Sequence, residues 1–138
     1  MEQLAHPEVK LVDMEQVTVC VLPLYHIFAM HVAMSYMLWN NEKLVTVPMF
    51  EPSMFLKTLV DYRPTTLQFA PPLVGFLANH PAVTPEHLAS LNTIVVGAAP
   101  AGKALIDLFD KGAPNVRFRE GYGMAEISGS HIYKTTGS

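Results

Sequence analysis

Residues 93–112 read "TIVVGAAPAGKALIDLFDKG". Thr93 to Val96 is a short β-branched run, the composition of a strand that packs well in a sheet. The small residues of "GAAPAG" then give way to Lys103–Lys111, where Leu105, Leu108 and Phe109 fall on one side of a helix that Gly112 closes. A strand feeding a helix through a loop of small residues is the repeating unit of a parallel sheet, because parallel neighbours need a crossover.

The same unit recurs in both directions along the chain. Val17–Leu22 reads as a strand stopped by Pro23, Lys43–Val47 as a second, Thr65–Phe69 as a third and Val116–Arg119 as a fifth beside Thr93–Val96. Between them, Ile27–Trp39 predicts a helix that is apolar all round and hence covered on every side. Ser53–Tyr62 predicts an amphipathic helix, Pro71–Leu77 one opened by proline, and "TPEHL" a short turn of helix with Thr84 as its N-cap. The strands read as short and mostly apolar on both faces. The expected fold class is α/β, a mostly parallel sheet with helices on both faces, formed by residues 1–138 as one unit without internal repeats. Ligands in such sheets bind beyond the carboxyl ends of the strands, here "PLYHIF", "FAPPL", "GAAPAG" and "EGYGMAE".

Composition narrows the function. Nine basic against twelve acidic residues give a net charge of -3, and the cations are scattered, which predicts no nucleic-acid partner. With 50% hydrophobic and 15% charged residues, the chain reads as a piece of something larger. The single Cys20 excludes an internal disulfide and reads as a core thiol. Ile27–Trp39 is too short for a transmembrane segment, and the acidic start lacks the basic region of a signal peptide. No peroxisomal tripeptide ends the chain, so a cytoplasmic location is expected. His26 and His31, two of six histidines, are five apart, off a common helix face, and no metal-ligand cluster emerges.

Three stretches carry chemistry. "GAAPAGK" has the glycine and lysine spacing of a phosphate-binding loop, but Ala104 replaces the hydroxyl that would hold magnesium and Pro100 removes a loop N–H. Gly97, Ala98, Ala99 and Pro100 otherwise offer backbone against which a flat ligand can lie; a plain strand-to-helix turn is the alternative. His26, at the end of the first strand, suits either a ligand rim or a structural role. In "EGYGMAE", Gly121 and Gly123 allow a sharp turn and close approach, Tyr122 offers a ring for stacking, and Glu126 is one carboxylate of the kind that holds magnesium together with phosphate and water. A turn with a half-buried tyrosine would leave the same trace.

Taken in order, "LPLYHIFAM", "FAPPLVGFLANHP", "LNTIVVGAAPAGKAL" and "REGYGMAE" resemble the adenylate-forming acyl-CoA synthetases, most of all the 4-coumarate:CoA ligase and firefly luciferase branch. The resemblance covers most of Val17–Glu126 and implies a two-step reaction. A carboxylate attacks the α-phosphate of MgATP to form an acyl-adenylate, and coenzyme A then takes the acyl group. It implies that His26, Phe28 and Phe69 line the acyl pocket with the Gly97-Ala98-Ala99 backbone. It further implies that Glu120, Gly121, Tyr122, Gly123, Met124 and Ala125 hold the adenylate with Pro100 nearby, and that Glu126 has the catalytic role of binding magnesium. The implied partners are a small-molecule carboxylate and a nucleotide.

Two positions depart from the family pattern: Ala125 stands where a threonine is usual, and Met49 where many relatives carry a lysine on the coenzyme A side. The resemblance places the family's phosphate loop upstream and its ribose-binding aspartate and lysine-bearing C-terminal domain downstream. Residues 1–138 are therefore expected to be a partial AMP-binding domain, inactive as a ligase alone. Two alternatives remain: a binding or decoy module that pairs with a full-length relative through an exposed sheet edge, and a phosphate-loop nucleotide-binding protein dependent on Lys103.

Overall fold

In the computed structural model, residues 15–127 are described in full and residues 129–134 by their backbone. The strands are β1 (Val17–Cys20), β2 (Lys43–Thr46), β3 (Thr66–Phe69), β4 (Thr93–Val96), β5 (Arg117–Met124) and β6 (Gly129–Lys134). The helices are α1 (π-helical over Ala29–Ser35, then α-helical over Tyr36–Trp39), α2 (Pro52–Tyr62), α3 (Pro71–Asn79), α4 (Pro85–Leu88) and α5 (Lys103–Gly112). One sheet runs in the order β2-β1-β3-β4-β5-β6. Its first five members are parallel and β6 returns antiparallel to β5. The α/β expectation holds, and among the described residues no helix is long and apolar enough to cross a membrane.

Prolines 52, 71 and 85 open α2, α3 and α4, where the first turn has no intrahelical use for an N–H. Thr84 precedes α4 as expected, its N–H donating to His87 Nδ1 at 3.0 Å. The cap of α2 was not foreseen. Glu51 Oε2 accepts from the Met54 N–H at 2.7 Å and Oε1 from the Ser53 N–H at 3.1 Å. These bonds, the Met54 one first, hold its carboxyl below the ordinary glutamate range.

The two faces of the sheet differ in chemistry. On one, Val19, Leu67, Phe69, Ile94, Val96 and Phe118 pack under α2, α3 and α5. Phe55 meets Phe69 edge-on at 6.0 Å, and Phe109 meets Phe118 at 5.1 Å. On the other face lie Gln16, Thr18, Thr66, Gln68 and Thr93, all buried. This corrects the expectation of strands apolar on both faces: period-2 alternation in strands of four residues sends the β-branched threonines to one side. There Thr18 Oγ1 donates to the Thr66 carbonyl at 2.7 Å and Thr66 Oγ1 to Gln16 Oε1 at 3.2 Å.

Helix α1 covers that polar face through Ala29, Val32, Ala33, Tyr36 and Met37. Its π-helical turns suit the Ser35 hydroxyl, which donates to the Met30 carbonyl five residues back at 2.8 Å. The expectation that this helix is enclosed on all sides is overturned, since Leu38 is 67% and Trp39 53% exposed. A single helix lying on a sheet has an inner and an outer side, whatever its composition.

Candidate active site

The cleft lies at the carboxyl ends of the parallel strands and is lined by His26, Ile27, Phe28, Ala98, Gly121 and Gly123. Three loops or strand ends supply these residues: the turn from β1 into α1, the loop from β4 to α5, and β5. His26 is fixed by local bonds. Its N–H donates to the Pro23 carbonyl at 3.0 Å, its carbonyl accepts from Met30 at 2.9 Å, and its Nδ1 accepts from the Phe28 N–H at 3.2 Å. With Nδ1 an acceptor, the neutral ring carries its proton on Nε2.

Phe28 sits against Gly97. A Cβ at Gly97 would lie 2.8 Å from Phe28 Cζ, so only glycine lets the ring rest there. The ring also packs with Val32, Tyr36, Met37 and Val95 on the α1 side of the sheet. Ala98, the next residue, has a φ of 68°, a left-handed conformation that costs a non-glycine residue about 1–2 kcal/mol.

Residues 120–124 are not the turn expected from their glycines. They continue β5, in register with β6 from Glu120 opposite Tyr133 to Met124 opposite Gly129. Gly102 is the one described glycine with a positive φ. Alternation along the strand then sends Gly121 and Gly123 to the cleft face and Glu120, Tyr122 and Met124 to the other. Tyr122 is 56% exposed. Glu120 Oε1 accepts from the Ala101 N–H at 3.2 Å, tying β5 to the loop after β4. A carboxylate at a loop amide is the wrong occupant for a phosphate cradle, which argues against reading "GAAPAGK" as a nucleotidase loop.

The structure thus brings His26, Phe28, Ala98, Gly121 and Gly123 together, with Gly97 beneath Phe28. It leaves Ala99, Pro100, Tyr122, Met124, Ala125 and Glu126 exposed beside the cleft and places Phe69, with no exposed surface, in the core under α2. Phe69 follows Leu67 on the α2 side of β3, so alternation turns it away from the cleft. Ile27 lines the cleft without having been singled out, because an apolar residue opening an apolar helix carries no signal. Glu126 lies in a 3-10 turn, Ala125–Ile127. Among the described residues no three metal-ligating side chains cluster. A lone exposed carboxylate fits magnesium that takes its other ligands from phosphate and water.

The sequence profile of the AMP-binding enzymes matches residues 1–138. The chain belongs to that family. The chain is 35% identical over 112 residues to 4-coumarate–CoA ligase 1 of Petroselinum crispum, an alignment that covers 81% of this chain and 21% of the relative. It is 36% identical over 112 residues to 4-coumarate–CoA ligase 2 of Nicotiana tabacum, again 81% and 21%. The chain therefore spans about a fifth of the length of these relatives. Its fold matches ATP-bound MatB from Rhodopseudomonas palustris with a TM-score of 0.77, at 23% identity, over 90% of this chain and 24% of that one. It also matches the O-succinylbenzoate coenzyme A synthetase of Bacillus subtilis in complex with ATP and magnesium, with a TM-score of 0.77 at 18% identity, over 96% and 26%.

Proposed function

We propose that this AMP-binding chain forms one wall of the acyl-adenylate site of an ATP-dependent acid–thiol ligase. In this reading a carboxylate and ATP give an acyl-adenylate, and coenzyme A is the acyl acceptor. The observation that carries it is the convergence of His26, Phe28, Ala98, Gly121 and Gly123 at one cleft, from three separate stretches that match the family. The cleft-facing Gly121 and Gly123 let the ligand approach the β5 backbone closely, and Tyr122, 56% exposed on the opposite side of β5 and outside the cleft lining, offers its ring to an adenine that reaches across that strand. Ala98 and Phe28 bound the acyl group. Glu126 would hold magnesium, which when bound neutralises charge on the nucleotide phosphates. Met49 is 75% exposed and places no cation where a coenzyme A phosphate could use one, so thiolation draws its charge from elsewhere.

Calorimetric titration with a non-hydrolysable acyl-adenylate analogue and magnesium tests the reading. Tyr122→Ala should weaken binding about tenfold or more, the scale of one lost base–aromatic stack, while Lys103→Ala should leave it unchanged. Loss through Lys103→Ala with Tyr122→Ala silent would favour the phosphate-loop reading instead.

A further inference from the structure

Two left-handed residues bracket the loop from β4 to α5: Ala98 at a φ of 68° and Gly102 at 67°. Glycine adopts that conformation freely and alanine does not, and a strained backbone persists only where its surroundings over-determine it. Two anchors do so here. At the start of the loop the Gly97 N–H donates to the Phe69 carbonyl at 2.9 Å, and near its end the Ala101 N–H donates to Glu120 Oε1 at 3.2 Å.

The second anchor comes from the far side of the sheet. Val96 pairs with Glu120, and residues so paired on neighbouring strands share a face. Val96 packs in the core under α2, α3 and α5, where Ala101 is buried too. Glu120 therefore reaches Ala101 on the α5 side, while Gly121, the next residue of β5, lines the cleft together with Ala98. One strand thus supplies part of the cleft and, through the adjoining residue, the tie that holds the facing loop.

We propose that Glu120 is a positioning residue. By gripping the Ala101 amide from behind the sheet it keeps Ala98 in its left-handed conformation, and so sets the spacing between the loop and Gly121 at which an adenylate fits. The side chain touches the loop and not the ligand. This inference rests on the adenylate-site reading above and gives Glu120 an indirect part in it.

The test reads two quantities on the folded parent and its variants: calorimetric affinity for an acyl-sulfamoyl adenosine with magnesium, and hydrogen exchange of the Ala101 amide followed by NMR. Glu120→Ala should release that amide to fast exchange while the β4 amides stay protected, and should weaken the analogue about tenfold or more, the contribution of one hydrogen bond to a charged acceptor. Glu120→Gln keeps an acceptor oxygen at the same reach and should restore most of both. Glu120→Asp keeps the charge but falls a methylene short, and should behave as alanine does; these two variants carry the comparison even where alanine does not fold. The loss caused by Glu120→Ala should be smaller in an Ala98→Gly background, where the left-handed conformation is unstrained, a difference that a direct contact with the ligand does not produce. Unchanged Ala101 exchange in Glu120→Ala would overturn the tie. An Asp variant that binds like the parent, or an equal loss in both backgrounds, would overturn its action through the loop. A parent chain that binds no analogue, yet whose protected Ala101 amide is released by Glu120→Ala, would overturn the adenylate reading and the use assigned to the tie while leaving the tie itself in place.

Discussion

Replacing Gly97 by alanine tests the closest contact in the site. The new Cβ would meet Phe28 Cζ at 2.8 Å and the two Cε atoms at 3.0 and 3.1 Å, all ring atoms of a side chain that is 8% exposed and held by Val32, Tyr36, Met37 and Val95. The ring cannot yield without disturbing that cluster, and overpacking of this kind costs about 1–3 kcal/mol. Gly97 does not have a positive φ, so alanine adds no backbone strain, and the lost freedom of the unfolded chain returns about 0.4–1 kcal/mol. The net expectation runs from no change to destabilisation by about 2.6 kcal/mol, read from urea denaturation midpoints at unchanged slope. In a Phe28→Leu background the clash disappears and Gly97→Ala should become neutral or stabilising, giving a coupling of about 1–3 kcal/mol, the overpacking cost alone, in the double-mutant cycle. Strict additivity, or a stabilised single variant, would refute the packing of Phe28 on Gly97.

Three further expectations follow from the same structure. Lowering the pH should erode the Glu51 cap: its folded pKa is depressed, so its contribution is complete above the unfolded value and disappears as pH falls through the folded one. Parent and Glu51→Gln denaturation midpoints should therefore differ at neutral pH and converge in acid; a constant difference would contradict the cap. Burial raises the Cys20 thiol above its ordinary value, so a thiol reagent should label it slowly in the native chain and promptly after unfolding, with rapid native labelling as the contrary result. Ala125 is exposed, so Ala125→Thr fits without repacking. Supplying a hydroxyl to a charged phosphate should tighten adenylate-analogue binding about ten- to a hundredfold, and unchanged affinity in the titration would place the phosphate away from residue 125.

The sheet was legible in the sequence because β1 to β4 are short runs with β-branched members, each followed closely by proline, glycine or a small-residue loop. What misled was periodicity over four residues: "TVC" and "TLQF" count as β-formers whichever face their polar members occupy, and only the assembled sheet shows that they occupy the same one. The site was legible where composition is unusual. Gly97, Ala98 and the glycines of β5 stood out, and the structure gathers them. The turn attributed to Gly121 and Gly123 was a misreading, because glycine marks close approach as readily as it marks a bend, and β6 supplies partners that keep β5 extended. Phe69 was given to the cleft by its place at a strand end, a rule that ignores which way the last residue faces. The Glu120–Ala101 bond joins β5 to the loop after β4, nineteen residues apart, and leaves no trace in local sequence.

The strand order has a consequence for how the chain acquires this structure. Each parallel neighbour is reached only through a crossover, and the partner of Thr18 on the β3 side is Thr66. The β5–β6 hairpin is the local pairing in the sheet, and it lies at the far end from β1. Loop closure must precede most of the contacts that reward it, which places such topologies among the slower folders. While β1 waits for β3, its backbone is an open template beside apolar helices not yet docked. A growing chain of this kind spends its early life dependent on being kept apart from its copies, and a chaperone that shields β1 and α1 should raise the yield of folded protein more than any single stabilising substitution.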